Sequence, residues 1–299
     1  SMATVAGRSE RFLVELANRK PRPVKPATLK AYGSSLRNWI VPHLGGFQLS
    51  EIDNSVMKRF VNLLVDQRLS PATVNGAVTV LKMLVGSETD EKGNILNQRE
   101  WNAASLDLPA VDPAWQRAPI ISGRQLNAAL SKADKSYQAF YALATGTGLR
   151  MGEMLALRMS PDLGNGSVLD LEQGVVFVRT AVYDRSEQST KSRDVDLCAS
   201  LVTWLKEACS GKARGELLFQ AGGGGFWHLA TLYDHFRWDR IPGSHSLRRF
   251  RMTHLENMSV PRVLIDYWTG HASKTITGIG ARKDWCQRAG VGFQIPRIA

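Results

Sequence analysis

The chain is poor in cysteine. It holds three, Cys198, Cys209 and Cys286, and neither their odd number nor their spacing fits a disulfide scaffold or a zinc site. This usage favours the reducing environment of a cytoplasm. The sequence also lacks a secretory signal peptide and any apolar run near the ~20 residues that a membrane-spanning helix needs. We therefore expect a cytoplasmic protein with no membrane partner.

Acidic residues are outnumbered by basic ones. The chain has 27 Asp and Glu against 38 Lys and Arg, which gives a formal net charge of +11. The excess is present both before and after residue 110. A strongly basic balance favours a polyanionic partner, and two basic parts suit a clamp around duplex DNA. Charge alone does not separate this from a basic protein without a nucleic-acid partner.

The length of 299 residues exceeds one ordinary domain and fits two. A proline-rich stretch with Pro109, Pro113 and Pro119 predicts an extended linker. We therefore predict a helical DNA-binding domain over residues 1–110, a linker over 111–121 and a second domain over 122–299.

The first domain is predicted to be helical. Capping residues place helix starts near Thr28, Asp53 and Ser70-Pro71. The first of these helices is predicted to stop near Pro42 and Gly45-Gly46. Apolar residues then recur at helical spacing in the second and third helices.

Basic side chains lie among these helices. Lys58, Arg59 and Lys82 are candidates for contacts with DNA phosphates. Solvent-exposed helix faces carry such charges routinely, so each residue also has a plain structural explanation.

The second domain mixes helices with a small hairpin. Periodicity predicts helices over residues 122–133, 137–145, 151–159 and 201–209, and strands over 175–183 and 193–197. The expected fold class is therefore mainly α with a small β-sheet.

Three short motifs stand out in this second domain. Thr147-Gly-Leu-Arg150 is followed three residues later by Glu153, His245 is followed three residues later by Arg248, and Thr269-Gly270 precedes His271. In this order, behind a basic helical domain, they resemble the three boxes of the tyrosine recombinase (phage integrase) family. The resemblance implies the two-domain architecture of that family, with a core-binding domain and a catalytic domain.

The arginines have a physical reason to be present. Attack on a phosphodiester builds negative charge on its non-bridging oxygens. Arginine stays ionised and pairs with two phosphate oxygens at once. We therefore assign Arg150 and Arg248 as a phosphate clamp, and we expect Glu153 to support Arg150 through a hydrogen bond or an ion pair. Arg158, Arg249 and Arg251 are left out as ordinary surface arginines.

The remaining roles are implied by the resemblance. His245 and His271 would donate to, or exchange protons near, the scissile phosphate. A lysine on a β-hairpin loop would give a proton to the leaving 5′ oxygen, and Lys191 is the match. It lies only two residues before Arg193, so the hairpin tip is short, and an exposed loop lysine is the alternative.

The family's nucleophile is missing from its expected place. The tyrosine should lie about nine residues after the histidine of the third box, which is Gly280 here, and no tyrosine follows Tyr267. Tyr267 is expected to pack on the preceding helix, and Trp285, Val291 and Phe293 on a last helix and tail. A natural inactive relative, a tyrosine removed on purpose and an omitted segment are all open explanations.

The resemblance implies a site-specific DNA recombinase or integrase of a bacterial or phage-type mobile element, associated with the nucleoid. Its reaction would be metal-free transesterification through a 3′-phosphotyrosyl intermediate, without a cofactor. Its partners would be a specific DNA site and further copies of the chain, as a dimer or tetramer. A non-catalytic DNA-binding regulator is the rival, and a type IB topoisomerase is disfavoured by the separate helical domain.

Overall fold

A computed structural model of the chain describes residues 3–112, 119–160, 166–183, 186–271 and 279–290. It divides the chain into two compact units, Ser1–Gln116 and Arg117–Ala299. The division falls within the stretch 111–121, where the sequence predicted a linker.

The described part of the first unit is built from helices. Their bounds are α1 (Val5–Asn18), α2 (Pro26–Ser35), a π-helical turn (Leu36–Ile40), α3 (Val41–Leu44), a 3₁₀ turn (Leu49–Glu51), α4 (Asn54–Asp66), α5 (Pro71–Val85) and α6 (Ala103–Leu106). The apolar faces of these helices meet in one core, which includes the buried residues Phe12, Ile40, Phe60 and Leu81.

Two of the three predicted helix starts agree with the structure. The Asp53 side chain accepts a hydrogen bond from the Val56 amide at 2.8 Å, and Ser70 caps α5 with Pro71 in its first turn. The start at Thr28 was wrong. Helix α2 begins at Pro26, because a proline at the first position already has a helical φ and needs no amide donor there.

The helical stretch predicted to stop near Pro42 and Gly45-Gly46 ends at the glycines, with Gly45 as the C-cap of α3. The π-helical turn Leu36–Ile40 comes directly before α3, and the chain stays helical through Leu44. Pro42 lies in the first turn of α3, where a missing amide costs little. Helix α1, capped by Thr4, was not predicted at all.

The described part of the second unit contains helices and one sheet. The helices are α7 (Gly123–Lys132), α8 (Lys135–Thr147), α9 (Met151–Leu155), α10 (Ala199–Ala208), α11 (Leu229–Trp238), α12 (Ser244–Asn257), α13 (Arg262–Thr269) and α14 (Ile279–Gly290). The strands are β1 (Leu157–Met159), β2 (Ser167–Asp170), β3 (Val175–Tyr183) and β4 (Ser186–Asp196). A mainly α fold with a small β-sheet is thus confirmed.

The sheet has the strand order β1-β2-β3-β4. Strands β1 and β2 are parallel, and the other two pairs are antiparallel. Val178 pairs with Arg193 but Thr180 pairs with Ser189, so β4 carries two more residues than β3 between these pairs. This bulge interrupts the ladder next to Lys191.

Two predictions about this unit need correction. The helix predicted over 151–159 ends at Leu155, and Leu157–Met159 forms β1 because it pairs with Ser167–Leu169 of β2. The second strand of the hairpin begins at Ser186 rather than near Arg193, because its polar half pairs with β3 even though it lacks an apolar pattern.

The core of the second unit lies around α8. Phe140 and Tyr141 are completely buried there, and Phe219 and Phe236 pack against them. The three cysteines are buried, and none of them forms a disulfide. Burial raises the pKa of Cys209 to about 11 and that of Cys286 to about 12.

Across the ranges that the structure covers, none of the helices is both long enough and apolar enough to cross a membrane.

Candidate active site

Arg150 stands at the junction of α8 and α9. Gly148 ends α8 in the left-handed conformation, with φ of 71°, and Arg150 is the N-cap of α9. Its backbone amide donates to Glu153 Oε2 at 2.8 Å, and its Nη1 donates to Glu153 Oε1 at 3.1 Å. The side chain remains 35% exposed. The turn therefore holds the guanidinium at the surface, with the carboxylate behind it.

Glu153 is buried beneath Arg150 and is held by a second arginine. Arg193 of β4 donates Nη1 to Oε1 at 2.9 Å and Nη2 to Oε2 at 2.7 Å. Burial acts to raise the pKa of Glu153, but the hydrogen bonds and charges of Arg193 and Arg150 outweigh it and lower that pKa. Glu153 is therefore ionised at neutral pH, and the predicted Arg150–Glu153 ion pair is one edge of an Arg–Glu–Arg triad.

Arg248 connects α12 to both neighbouring turns. Its Nη1 donates to the carbonyl of Gly148 at 2.6 Å, and its Nη2 donates to the carbonyl of Thr269 and lies 3.1 Å from His271 Nε2. Burial, together with the charge of Arg150, lowers the pKa of Arg248 to about 10. The guanidinium is still protonated at neutral pH and is fixed at the base of the site.

His271 follows the left-handed Gly270, which ends α13. Its Nδ1 lies 3.3 Å from Thr269 Oγ1, and that hydroxyl donates its own proton to the carbonyl of Ile265 at 2.6 Å. Nδ1 must therefore carry the ring proton, and Nε2 accepts from Arg248. Burial and then the charges of Arg248 and Arg150 lower the pKa of His271.

His245 lies in the first turn of α12, one turn before Arg248, and its side chain is exposed. Burial and then the charges of Arg249, Arg248 and Arg150 lower its pKa. Both histidines are thus neutral at pH 7 and lie beside positively charged arginines. A bound anion would balance this positive charge.

Gly270 marks the point where the triad and the third motif meet. A Cβ atom at this position would lie 2.9 Å from Arg193 Nη1 and 3.2 Å from Arg150 Nη1. The two guanidinium groups therefore pack directly on this backbone, and only glycine leaves them room. Residues from all three sequence motifs lie within this cluster.

No hydrogen bond or ion pair among the described residues joins Lys191 to this cluster. It lies within β4, at the bulge, rather than in a loop, and its side chain is exposed. Within the described ranges it makes no hydrogen bond or ion pair. The expectation of a loop position was wrong, because the paired strands extend past Lys191 to Ser186.

Gly280, the expected position of the nucleophile, is the second residue of α14. The segment between His271 and this helix lies outside the described residues, as do Val291 and Phe293. The Tyr267 hydroxyl accepts a hydrogen bond from Arg282 Nη1 at 2.9 Å, and the Arg282 guanidinium lies 5.1 Å from the Tyr267 ring centre. Tyr267 is thus a packing residue, as expected, and Trp285 packs against the core from α14.

Sequence reasoning missed the buried ionic residues around this site. Arg193 is one, and the pair Asp196 and Arg282, joined at 2.6 Å, is another. Arg193 shares the inward side of β4 with Val195, and a charge at an inward position of an alternating strand is the signal that could have found it.

The surface assignment of the three excluded arginines holds only in part. Arg158 forms a partly exposed ion pair with Glu187, and Arg249 donates to the carbonyl of Pro119. Arg251 was misjudged, because it is buried, with one Nη nitrogen unpaired. It lies beneath Gly148, whose missing Cβ would be 3.4 Å from its side chain.

The basic candidates of the first unit have mixed settings. Lys58 donates to the carbonyl of Leu106 at 3.2 Å, and the Lys82 ammonium lies 5.5 Å from the centre of the Trp101 ring. Arg59 is exposed and donates to Ser55 Oγ. Lys58 and Lys82 therefore make stabilising contacts within the unit, and Arg59 is the cation more accessible to a DNA phosphate.

Among the described residues, no three His, Cys, Asp or Glu side chains gather in a way that could hold a metal ion. The cluster is instead rich in nitrogen groups. The guanidinium groups of Arg150 and Arg193 flank the Glu153 carboxylate, that of Arg248 lies against His271, and His245 lies one helical turn from Arg248. Such a set recognises an anion with several oxygens, as a phosphate group has.

Comparisons with known proteins agree with this site and fold. The model of the phage integrase family matches residues 122–284, more than half of the chain, and that of the phage integrase N-terminal SAM-like domain matches residues 16–65. The chain therefore belongs to the phage integrase family, and the resemblance found in the sequence is confirmed.

Individual relatives are distant. A tyrosine recombinase XerC-like protein of Caldanaerobacter subterraneus subsp. tengcongensis is 26% identical in an alignment of length 205 that covers 61% of this chain and 50% of that protein. The chain thus matches about half the length of this curated relative.

Solved structures share the fold at low identity. The Tn1549 transposon integrase in complex with a circular intermediate DNA has a TM-score of 0.67 at 16% identity, covering 95% of each chain. The lambda integrase tetramer bound to a Holliday junction has a TM-score of 0.63 at 16% identity, covering 100% of this chain and 81% of that one.

Proposed function

We propose that the chain is a site-specific DNA recombinase or integrase that works on the phosphate backbone of duplex DNA. The observation that carries the proposal is the convergence of Arg150, Arg248 and His271 on the turn at Gly270. These side chains come from three separate motifs, at the start of α9, within α12 and directly after α13, yet they face one small region. A fixed group of donors around an anion-sized space is what phosphoryl transfer requires.

The geometry suggests a division of roles. Arg150, partly exposed, would hold one non-bridging oxygen of the scissile phosphate, and Arg248 would hold the other from below. His271 would turn its Nε2 from Arg248 to the phosphate once protonated, and His245 lies where it can do the same. Lys191 stays a candidate for protonating the 5′ oxygen.

The reaction would be a transesterification. A tyrosine hydroxyl would attack the phosphorus, the bond to the 5′ oxygen would break, and the leaving oxygen would take up a proton. Rejoining would reverse these steps with a second 5′ hydroxyl, so no external energy source is needed. The tyrosine itself remains unassigned, since Gly280 occupies its expected position.

The proposed partners are a specific duplex DNA site and further copies of the chain. The surplus of basic residues supports a polyanionic partner. The Tn1549 integrase is described with DNA, and lambda integrase with DNA as a dimer and as a tetramer. We extend this mode of assembly to the present chain.

A second candidate function is a DNA-binding relative that does not cleave. Gly280 is the observation that favours it, because glycine has no side chain that could attack phosphorus. The two candidates share the anion site and differ only in whether a covalent bond forms.

The test begins with selection of bound duplexes from a random-sequence library. Enrichment of one sequence is expected, and its absence would contradict site-specific binding. The enriched site is then nicked to make a suicide substrate, in which the released 5′ fragment diffuses away and traps any covalent adduct. The chain, Gly280→Tyr, and Gly280→Tyr with Arg248→Ala are compared on denaturing gels.

An adduct with Gly280→Tyr that is lost with Arg248→Ala would support the recombinase. Binding without an adduct in all three would favour the non-cleaving relative. An adduct formed by the unchanged chain would show that another residue attacks, and mass spectrometry of the linked peptide would identify it.

A further inference from the structure

The carboxylate of Glu153 is shared unequally between two arginines. Arg193 approaches it with two parallel hydrogen bonds of 2.9 and 2.7 Å, one to each oxygen. The Arg150 side chain makes a single bond of 3.1 Å, to Oε1. Bidentate pairing of a guanidinium with a carboxylate is the stronger of the two arrangements.

Burial increases this inequality. The side chains of Arg193 and Glu153 are 2% and 0% exposed, whereas that of Arg150 is 35% exposed. An ion pair removed from water interacts more strongly than one that water screens. The negative charge of Glu153 is therefore compensated mainly by Arg193, and Arg150 keeps most of its positive charge for a ligand.

Arg193 cannot itself meet a ligand. Its Nε donates to the carbonyl of Trp268 at 2.8 Å, so three of its five N–H groups are engaged. The backbone of Gly270 covers it, because a Cβ there would lie within 2.9 Å of Nη1. The residue lies beneath the anion site and not in it.

We propose that Arg193 is a positioning residue of the phosphate site, which holds Glu153 so that Arg150 stays available to the scissile phosphate. The inference rests on the proposed function and deepens it. Without Arg193, the Glu153 carboxylate would keep only Arg150 as its cation. Its Oε1 already accepts from the Arg150 side chain, and its Oε2, which also accepts from the Arg150 amide, could turn the pair into a bidentate one within the same helical turn. The site would lose one of its cations, although Arg150 would still be present.

The Arg193 side chain also positions the third motif, Thr269-Gly270-His271. Trp268 lies in the last turn of α13, two residues before the Gly270 turn that presents His271. By binding the carbonyl of Trp268 and the carboxylate of Glu153 together, Arg193 fixes the distance between α9 and the end of α13. One residue thus aligns the two halves of the anion site.

The first test is a pair of double-mutant cycles on the full chain, read by amide hydrogen exchange of α8 and β3 in the second unit. One cycle combines Arg193→Met with Glu153→Gln, and the other combines Arg150→Met with Glu153→Gln. The Arg158–Glu187 pair, with both side chains about a quarter exposed, gives the matched control cycle.

We expect coupling of about ten-fold or more in exchange protection for Arg193 with Glu153, and several-fold less for Arg150 with Glu153 and for the control. Equal coupling in the first two cycles, or stronger coupling for Arg150, would overturn the proposal. Arg193→Lys keeps a charge at the site and serves if Arg193→Met does not fold.

The second test measures the salt dependence of duplex DNA affinity. Arg193→Met should lower the slope of log K against log salt by about 0.9, the contribution of one phosphate contact, because Glu153 now neutralises Arg150. Adding Glu153→Gln should restore the slope, since it frees Arg150 again. Adding Arg150→Met to Arg193→Met should cause no further loss.

A residue with a merely structural role would behave differently. Its loss would not be repaired by Glu153→Gln, and that result would overturn the proposal. If the unchanged chain shows no salt-dependent DNA binding, the proposed function fails, and the coupling measurement still decides the role of Arg193.

Discussion

Gly270 shows how a single missing side chain shapes the site. Its φ of 72° lies in the left-handed region, and both Arg193 and Arg150 pack on the space that a Cβ would fill. Any substitution of Gly270 is therefore expected to have two separate effects. It strains the backbone, and it displaces the guanidinium groups of Arg193 and Arg150. Gly211 has a similar φ of 88° with nothing within 4 Å of its Cβ position, so a substitution there produces the backbone strain alone.

Gly270→Ala is therefore expected to destabilise the second unit by about 1–3 kcal/mol and to weaken DNA binding. Gly211→Ala should show the strain alone and leave DNA affinity unchanged. Urea unfolding and duplex titration measure the two effects. Equal DNA affinity in both variants would show that Gly270 does not order the arginines.

The histidines give the site a second residue-scale property, a response to pH. The pKa values of His245 and His271 are both lowered from the usual 6.5 by burial and nearby arginines. In the free protein they are therefore neutral at pH values where an ordinary histidine already binds a proton. A phosphate anion beside them would reverse this and raise both pKa values.

DNA binding should consequently take up protons around and below pH 6.5, and affinity should rise as the pH falls through that window. Calorimetric titration in buffers of different ionisation enthalpy measures the uptake directly. His271→Gln and His245→Gln should each reduce it, whereas His43→Gln in the first unit should not. A heat that does not vary with the buffer would refute this linkage.

At the scale of elements, the three motifs could be predicted because each is local. Arg150 and Glu153 lie three residues apart in a turn and a helix, as do His245 and Arg248, and Gly270 precedes His271 directly. Helical periodicity and capping chemistry are properties of neighbouring residues, so they identify such units well.

The supporting ion pairs could not be predicted in the same way. Arg193 reaches Glu153 across 40 residues, and Arg282 reaches Asp196 across 86. Such partners are chosen by tertiary packing, which a pattern of neighbouring residues does not contain. The short strand β1 was not predicted for the same reason. Leu157–Met159 has no strand pattern of its own and becomes a strand only by pairing with β2.

Helix α14 depends on one of these long-range pairs. Arg282 in its first turn is 6% exposed, and its Nε lies 2.6 Å from Asp196 Oδ2 of β4. The same carboxylate accepts the indole N–H of Trp268 at 2.8 Å. Through Arg282, two residues after Gly280, the first turn of α14 is thus attached to β4 and, by way of the shared Asp196 carboxylate, to α13.

Arg282→Met is expected to destabilise the second unit by about 3–5 kcal/mol, because it leaves the Asp196 carboxylate buried without its cation. Arg288→Met on the same helix removes only an exposed residue stacked on Trp285 and should cost less than about 0.5 kcal/mol. Hydrogen exchange of α14 measures both. Similar protection in the two variants would show that the pair does not attach the helix.

At the scale of the whole molecule, the surplus of positive charge is the property that matters most. The net charge of +11 is spread over both parts of the chain, and each part carries more basic than acidic residues. Binding of a duplex through both units should therefore release counterions from many phosphates at once. The arginines of the active site would account for only two of these contacts.

The affinity of the full chain for duplex DNA should accordingly fall steeply with salt. Each neutralised phosphate contributes about −0.9 to the slope of log K against log salt, so contact with six or more phosphates gives a slope near −5 or steeper. Titrations of a fluorescent duplex between low and moderate salt measure it. Arg59→Ala should make the slope shallower by about 0.9 because Arg59 is exposed, whereas Arg237→Ala, which removes a cation already paired with Asp234, should change it less. A slope near zero would contradict the DNA partner itself, because neutralising phosphates releases counterions and so makes the affinity depend on salt.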